Sequence, residues 1–159
     1  MKIIDDFLSK EEFEVIQNIM MSHELDWYFS SITTEKRHSD EFQFCHVFYR
    51  DGEPLKKYSL IFPLLDKIGP FCVISAKANL LTKTNEIIEY GFHTDIDKEN
   101  ITTAVFYINT CNGYTLFRDG TKVESKANRL VIFDAQLVHT GSSCTDASTR
   151  LVINLNYFK

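Results

Sequence analysis

The chain has four cysteines but no C-x-x-C pair. Cys45, Cys72, Cys111 and Cys144 are widely scattered, so they read as reduced, mostly buried thiols rather than as a closely spaced thiol motif. It also lacks an apolar run of membrane-spanning length, which excludes a transmembrane helix. No signal peptide is visible at the start, where Met1-Lys2-Ile3-Ile4 meets Asp5-Asp6 at once; a cytoplasmic protein is the expectation. Positive charge is in deficit: 17 Lys and Arg stand against 22 Asp and Glu, for a net charge of -5. That balance argues against a broad electrostatic grip on phosphates, although a local basic patch can persist within it. Internal repeats, linkers and low-complexity tracts are all missing, so one domain over residues 1–159 is expected.

The composition itself, 44% hydrophobic and 25% charged, is that of an ordinary globular chain with enough length to bury a core. Ile3–Leu8 reads as a short strand. Ser9 then opens a helix, with Glu12 three residues on to close a capping box. Phe13, Ile16, Ile19 and Met20 supply that helix with an apolar stripe at 3.6-residue spacing. Trp27–Phe29 and Phe42–Tyr49 read as strands on either side of a polar surface loop, Ser30–Glu41, whose charges read first as a solvated face, with a lid over a binding site as the functional alternative. Asp51-Gly52-Glu53-Pro54 is a turn into a second helix over Leu55–Ile68, with Pro63 predicted to kink it and Gly69-Pro70 ending it. From Phe71 the texture changes to short β segments: Phe71–Leu81, Ile101–Asn109, Tyr114–Phe117, Thr121–Glu124, Arg129–Phe133, Val138–Thr140 and Thr149–Phe158. This order predicts a mainly β chain with flanking helices: helical support over about 1–70 and a closed β sandwich or barrel over about 71–158.

The stretch Tyr90-Gly91-Phe92-His93-Thr94-Asp95 carries the chemistry. His93 and Asp95 are two apart, so in an extended segment both side chains leave one face and form two arms of a chelate. His139, in Leu137-Val138-His139-Thr140-Gly141, is available as a third arm. Two histidines and one carboxylate on one face of an octahedral ion leave the other face open, the arrangement of non-haem Fe(II) oxygenases. Arg150 heads an alternating apolar run, and its planar fork suits a carboxylate held bidentately. These residues together predict an iron site with room for a dicarboxylate beside it.

The ordered series His93-x-Asp95, Thr103–Asn109, Gly113-Tyr-Thr115-Leu-Phe117, Leu130–Phe133, His139-Thr-Gly141 and Arg150 resembles the Fe(II)/2-oxoglutarate-dependent oxygenases, and among them the prolyl-4-hydroxylase-like branch. The opening Ile4-Asp5-Asp6-Phe7-Leu8-Ser9 is similar to that branch's entry. The resemblance implies a double-stranded β-helix, or jelly-roll, core. It implies Fe(II) on His93, Asp95 and His139, with 2-oxoglutarate anchored by Arg150. Molecular oxygen would be the co-substrate, ascorbate a reductant, and a peptidyl or free amino acid the molecule hydroxylated, with succinate and carbon dioxide released. By the same resemblance Tyr107 would add a hydroxyl to the cofactor's distal carboxylate; as a residue in its own right it reads equally well as a core aromatic. The pattern departs from the family at Asn112, which replaces the first glycine of a G-G pair. It departs again upstream of Tyr90, where relatives place a cofactor-binding tyrosine and this chain has Leu80-Leu81; Asn79 is the candidate polar substitute.

Other readings stand beside this one. Arg150 can be a surface ion-pair partner, and His23, His38 and His46 read as solvated or structural. A nucleic-acid dealkylase of the same superfamily is disfavoured by the acidic charge and the lack of a basic, aromatic-rich flank. A jelly-roll module that holds a metal without turnover has no need of the dicarboxylate anchor. A zinc hydrolase would need a carboxylate general base beside the metal, and none is identifiable. The expected partner is a small molecule or peptide, with no nucleic acid and no membrane.

Overall fold

Strand β11, Thr149–Phe158, owes its central place in the molecule to strict alternation. Leu151, Ile153 and Leu155 leave one face and are buried with the helices, while Arg150, Val152 and Asn154 leave the other and line a cavity. The computed structural model describes residues 1–31 and 41–159. Most of the predicted polar loop, and with it His38 and the lid alternative, therefore lies outside the described residues.

The chain begins with β1, Lys2–Ile4, and α1, Lys10–Met20. Ser9 caps α1 as predicted: its hydroxyl accepts from the Glu12 amide at 3.3 Å, and the Glu12 carboxylate accepts from the Ser9 amide at 3.0 Å. Next come β2, Tyr28–Ser31, β3, Phe42–Arg50, and the two-residue β4, Glu53–Pro54. The predicted second helix is divided. A 3-10 turn over Tyr58–Ile61 precedes α2, Phe62–Ile68, and Pro63 stands in the first turn of α2 rather than at a kink. Proline has no N–H to donate, and only a first turn leaves that N–H without a helical partner. Asp51-Gly52 turns the chain back on itself, pairing Glu53 with Arg50, rather than leading directly into a helix.

The remaining strands are β5 Cys72–Thr82, β6 Ile101–Tyr107, β7 Tyr114–Phe117, β8 Lys122–Glu124, β9 Arg129–Asp134 and β10 His139–Gly141. An eight-stranded antiparallel sheet runs β1-β9-β6-β11-β5-β3-β2, with β4 attached to β3. A second, three-stranded sheet runs β10-β7-β8. Residues 1–70 thus supply four strands to the large sheet as well as helices. The segment after β5 is laced to residues 139–144 by isolated bridges, Lys83 with Cys144, Glu89 with Ser142 and His93 with His139.

Each face of the large sheet has its own apolar cluster. On the helix side Phe106 meets Phe7 and Phe13 edge to face, with centroids 6.3 and 6.0 Å apart, above Leu151, Ile153 and Leu155. Between the two sheets Val105, Tyr107, Phe117, Val131, Phe133 and Val152 form a smaller core. This is the two-layer jelly roll with flanking helices that the resemblance implied. Among the described residues no helix is long and apolar enough to cross a membrane. All four cysteines are free, but only Cys111 and Cys144 are buried; Cys45 is half-buried on β3 and Cys72 is exposed at the first residue of β5, where the strand end leaves it open to solvent. His46 is structural, with ring nitrogens 2.8 Å from the Asp26 carbonyl oxygen and 3.0 Å from that of Lys56.

Candidate active site

His93 and His139 are held together by the backbone before their side chains are considered. The amide of each donates to the carbonyl of the other at 2.9 Å, which joins segments far apart in sequence. His93 is extended at this bridge, whereas Asp95 lies in a bend just beyond it rather than in a continuous strand. The three side chains converge all the same. Each imidazole is fixed through Nδ1, at 2.8 Å from the Leu137 carbonyl oxygen for His139 and 3.2 Å from that of Gly91 for His93. Gly91 has φ of 84°, a backbone state that glycine enters without steric cost. With Nδ1 donating, both Nε2 atoms carry a free lone pair.

The Asp95 carboxylate faces those lone pairs. His93 Nε2 is 3.8 Å from Oδ1 and His139 Nε2 is 3.9 Å from Oδ2, beyond hydrogen bonding and with space for an ion between. The donor atoms of the three residues lie within 4.8 Å of one another. Asn154 reaches across from β11 and donates to both carboxylate oxygens, at 3.2 and 3.3 Å, which orients Asp95. Burial pushes the His139 pKa down, against the opposing pull of Asp95, so the ring favours the neutral form that ligates metals. Two imidazoles and a carboxylate fit a divalent first-row metal such as Fe(II).

Arg150 is 3% exposed, with no carboxylate beside it among the described residues. Its Nε donates to Ser125 Oγ at 2.7 Å and one terminal nitrogen donates to Thr115 Oγ1 at 3.2 Å. Neutral hydroxyls leave the charge uncompensated, and burial pushes the guanidinium pKa down, although arginine keeps its proton in proteins. An unpaired buried cation is costly, so the arrangement favours an anion arriving from the cavity. The surface ion-pair alternative is overturned by this burial.

Tyr107 lies beneath the guanidinium, its ring centroid 5.6 Å from Cζ. Its hydroxyl donates to Thr115 Oγ1 at 2.8 Å, and the residue does not line the cavity; burial raises its pKa. In this geometry Tyr107 supports Arg150 through Thr115. Asn79 does line the cavity, and its amide oxygen is buried without a partner. The first-glycine position of the G-G pair tolerates Asn112 because its side chain is used: Oδ1 accepts from the Thr145 amide at 2.9 Å and Nδ2 donates to Thr145 Oγ1 at 2.7 Å.

One cavity of about 320 Å³ takes in both groups. His93, Asp95 and His139 open onto it together with Arg150, and Lys77, Asn79 and Asn154 line it between the sheets. Reading the sequence did not find Ser125 or Thr115 as the support of Arg150, or Lys77 on the cavity wall. Thr115 and Lys77 carry a signal in strand alternation; Ser125 carries none.

No family model matches the sequence, and no curated protein sequence does either. Solved structures do match. A prolyl-4-hydroxylase from Pseudomonas putida has a TM-score of 0.63 at 17% identity, over 99% of this chain and 92% of that one. A prolyl hydroxylase from Trichoplax adhaerens, in complex with a peptide fragment of a hypoxia inducible factor, has a TM-score of 0.64 at 14% identity, over 99% and 82%. The non-haem alpha-ketoglutarate-dependent epimerase SnoN of nogalamycin biosynthesis has a TM-score of 0.72 at 13% identity, over 99% and 75%. The chain therefore has the fold shared by prolyl hydroxylases and other 2-oxoglutarate-Fe(II) oxygenases.

Proposed function

We propose that the protein is an Fe(II)- and 2-oxoglutarate-dependent dioxygenase that hydroxylates a C–H bond of a peptidyl or free amino acid, in the manner of a prolyl hydroxylase, and releases succinate and carbon dioxide. The observation that carries this reading is the buried, uncompensated Arg150 opening on the same cavity as a His-Asp-His set. A metal-holding module has a use for the three ligands and none for the cation. The four free cysteines fit a reducing, cytoplasmic setting.

His93, Asp95 and His139 would hold the iron, and Arg150 would hold the distal carboxylate of 2-oxoglutarate. Bound together, those groups would activate molecular oxygen for oxidation of a C–H bond, with 2-oxoglutarate oxidised to succinate and carbon dioxide alongside. The chain's own contribution is position and shelter. The carbonyls of Gly91 and Leu137 fix both ring tautomers, and Asn154 fixes the carboxylate. Ser125, Thr115 and Tyr107 hold the guanidinium in one orientation, so the anion it binds meets a preset fork. Leu81, Val105 and Val152 add apolar wall between the two ends of the cavity.

Three neighbours act on or sit with a peptide or a small molecule by their own names, and the net charge of -5 here disfavours a nucleic-acid substrate. The test is succinate release with Fe(II), ascorbate and 2-oxoglutarate, screened over peptides, free amino acids and methylated oligonucleotides. The reading predicts stimulation by a peptide or amino acid. Robust demethylation of oligonucleotides with no peptide or amino-acid turnover reverses it in favour of the dealkylase.

A further inference from the structure

The cavity contains two cations, and the proposed reaction uses only one. Lys77 is half-buried on β5 and lines the same wall as Arg150. The register of β5 against β11 sets Leu81 beside Arg150, Asn79 beside Val152 and Lys77 beside Asn154. Alternate residues on one face are about 6.6–6.8 Å apart, so the Lys77 rung is about 13 Å along the sheet from the Arg150 rung. Asn154, the partner of Lys77 in that register, is the residue that hydrogen-bonds Asp95. Lys77 therefore belongs to the metal-triad end of the cavity and Arg150 to the opposite end.

Among the described residues the Lys77 side chain makes no ion pair and no hydrogen bond, whereas Lys10, Lys56, Lys57 and Lys126 each have a carboxylate partner. Lys2, Lys83, Lys98 and Lys159 are also without a side-chain partner, but all four are exposed; Lys77 is the one lysine among the described residues that lines the cavity. Between the two cations stands Asn79, whose amide oxygen has no partner holding it in place. A floor of one ammonium, one unsatisfied amide and one guanidinium is not a packed core. It is a wall for a polar ligand at each end, and 2-oxoglutarate anchored at Arg150 accounts for one. The overall charge of -5 repels a second anion in general, so a local cation is what admits one.

We propose that Lys77 is a specificity-determining residue that binds a carboxylate on the substrate, so that the molecule oxidised is a compact acid such as a free or N-acyl amino acid rather than an interior residue of a long peptide. This rests on the oxygenase reading and narrows its substrate class. The ammonium would draw the substrate carboxylate to the metal end of the cavity, and Asn79 and Gln43, which also line it, would meet the polar groups beside that carboxylate.

The experiment is a calorimetric titration without oxygen of protein carrying Fe(II) and 2-oxoglutarate. The probes are N-acetyl-L-proline against N-acetyl-L-prolinamide, and a panel of free L-amino acids against their amides. Wild type should take at least one acid roughly tenfold or more tighter than its amide. Lys77→Met and Lys77→Gln should erase that preference while 2-oxoglutarate affinity stays within about twofold, and Lys77→Arg should restore part of it. Acids and amides bound alike by wild type, or neither bound, overturn the proposal. So does a loss of 2-oxoglutarate affinity in Lys77→Met comparable to that of Arg150→Ala, which would make Lys77 a cofactor ligand. Titration of wild type with 2-oxoglutarate alone tests the oxygenase reading separately: its failure there, with a Lys77-dependent acid preference intact, removes the cofactor and not the anion site.

Discussion

Gly113 and Arg150 compete for one space. A Cβ added to Gly113 would stand 2.6 Å from Arg150 Cδ and 2.6 Å from the backbone oxygen of Ser143. The guanidinium lies where it does because residue 113 has no side chain, and the backbone on the other side cannot give way. Gly113→Ala should therefore displace Arg150, destabilise the fold by about 1–3 kcal/mol and weaken 2-oxoglutarate binding. Thermal unfolding and a cofactor titration of the one variant check both parts. Unchanged cofactor affinity would separate the glycine from the anchor.

The triad depends on support as well as on ligands. His139→Ala should abolish stoichiometric Fe(II) binding with the fold retained, because His93 and Asp95 alone leave the ion without its third fixed arm. Asn154→Leu keeps all three ligands but removes both hydrogen bonds to Asp95, and should weaken Fe(II) by roughly 10–100-fold. Metal titration ranks the two variants below wild type, with His139→Ala lower. Equal affinity in wild type and His139→Ala would take His139 out of the site.

Much of this site was legible in the sequence. His93, Asp95, His139 and Arg150 are carried by local patterns, a spacing of two and a polar head on an apolar strand, and the structure brings all four to one cavity. The capping box at Ser9 and Glu12 is equally local. What the sequence hid was non-local. Nothing near Ser125 marks it as a partner of Arg150, since the hydrogen bond spans 25 residues and depends on how β8 and β11 approach. The pairing of β1 with β9 and of β3 with β5 likewise follows from the order of strands in the whole sheet and not from any residue in the first half of the chain. Pro63 misled for a physical reason: the same missing N–H that kinks a helix interior is harmless in a first turn.

The first strand is fastened by charge. Arg129 Nε donates to Asp5 Oδ1 at 2.6 Å and Lys126 Nζ donates to Oδ2 at 2.9 Å, and these contacts, Arg129 first, hold the Asp5 carboxyl well below the usual carboxylate range. A carboxylate with a depressed folded pKa contributes stability above its unfolded pKa, about 3.9, and loses it as pH falls toward the folded value. Asp5 is 39% exposed on its side chain, so solvent screening holds the contribution to about 1 kcal/mol or less. Asp5→Asn should lower stability at pH 7 by that amount and show a shallower acid limb below about pH 4. Denaturant unfolding at the two pH values measures it, and parallel acid limbs would contradict it.

Arg150 is held at a cost to the fold. With only hydroxyls for partners, the buried guanidinium is less stable in the ligand-free protein than an apolar side chain of similar volume. Arg150→Met should leave the ligand-free protein as stable as wild type or more so, and 2-oxoglutarate should stabilise wild type but not the variant. Unfolding with and without the cofactor checks this. Destabilisation of the ligand-free variant by several kcal/mol would mean that the cation is already satisfied by the protein.

The central claim is that Arg150 anchors a dicarboxylate beside a metal site, and the affinity for 2-oxoglutarate in wild type, Arg150→Ala and Arg150→Lys tests it most directly. Removing one partner of a buried charge pair costs roughly 3–5 kcal/mol, so Arg150→Ala should bind the cofactor at least about a hundredfold more weakly. Lysine should restore part of the binding through charge without the fork. Fe(II) affinity should change little in either variant, because the guanidinium is bonded to Ser125 and Thr115 and not to the triad. If all three proteins bind 2-oxoglutarate alike, Arg150 is not the anchor and the oxygenase reading loses the observation that carries it.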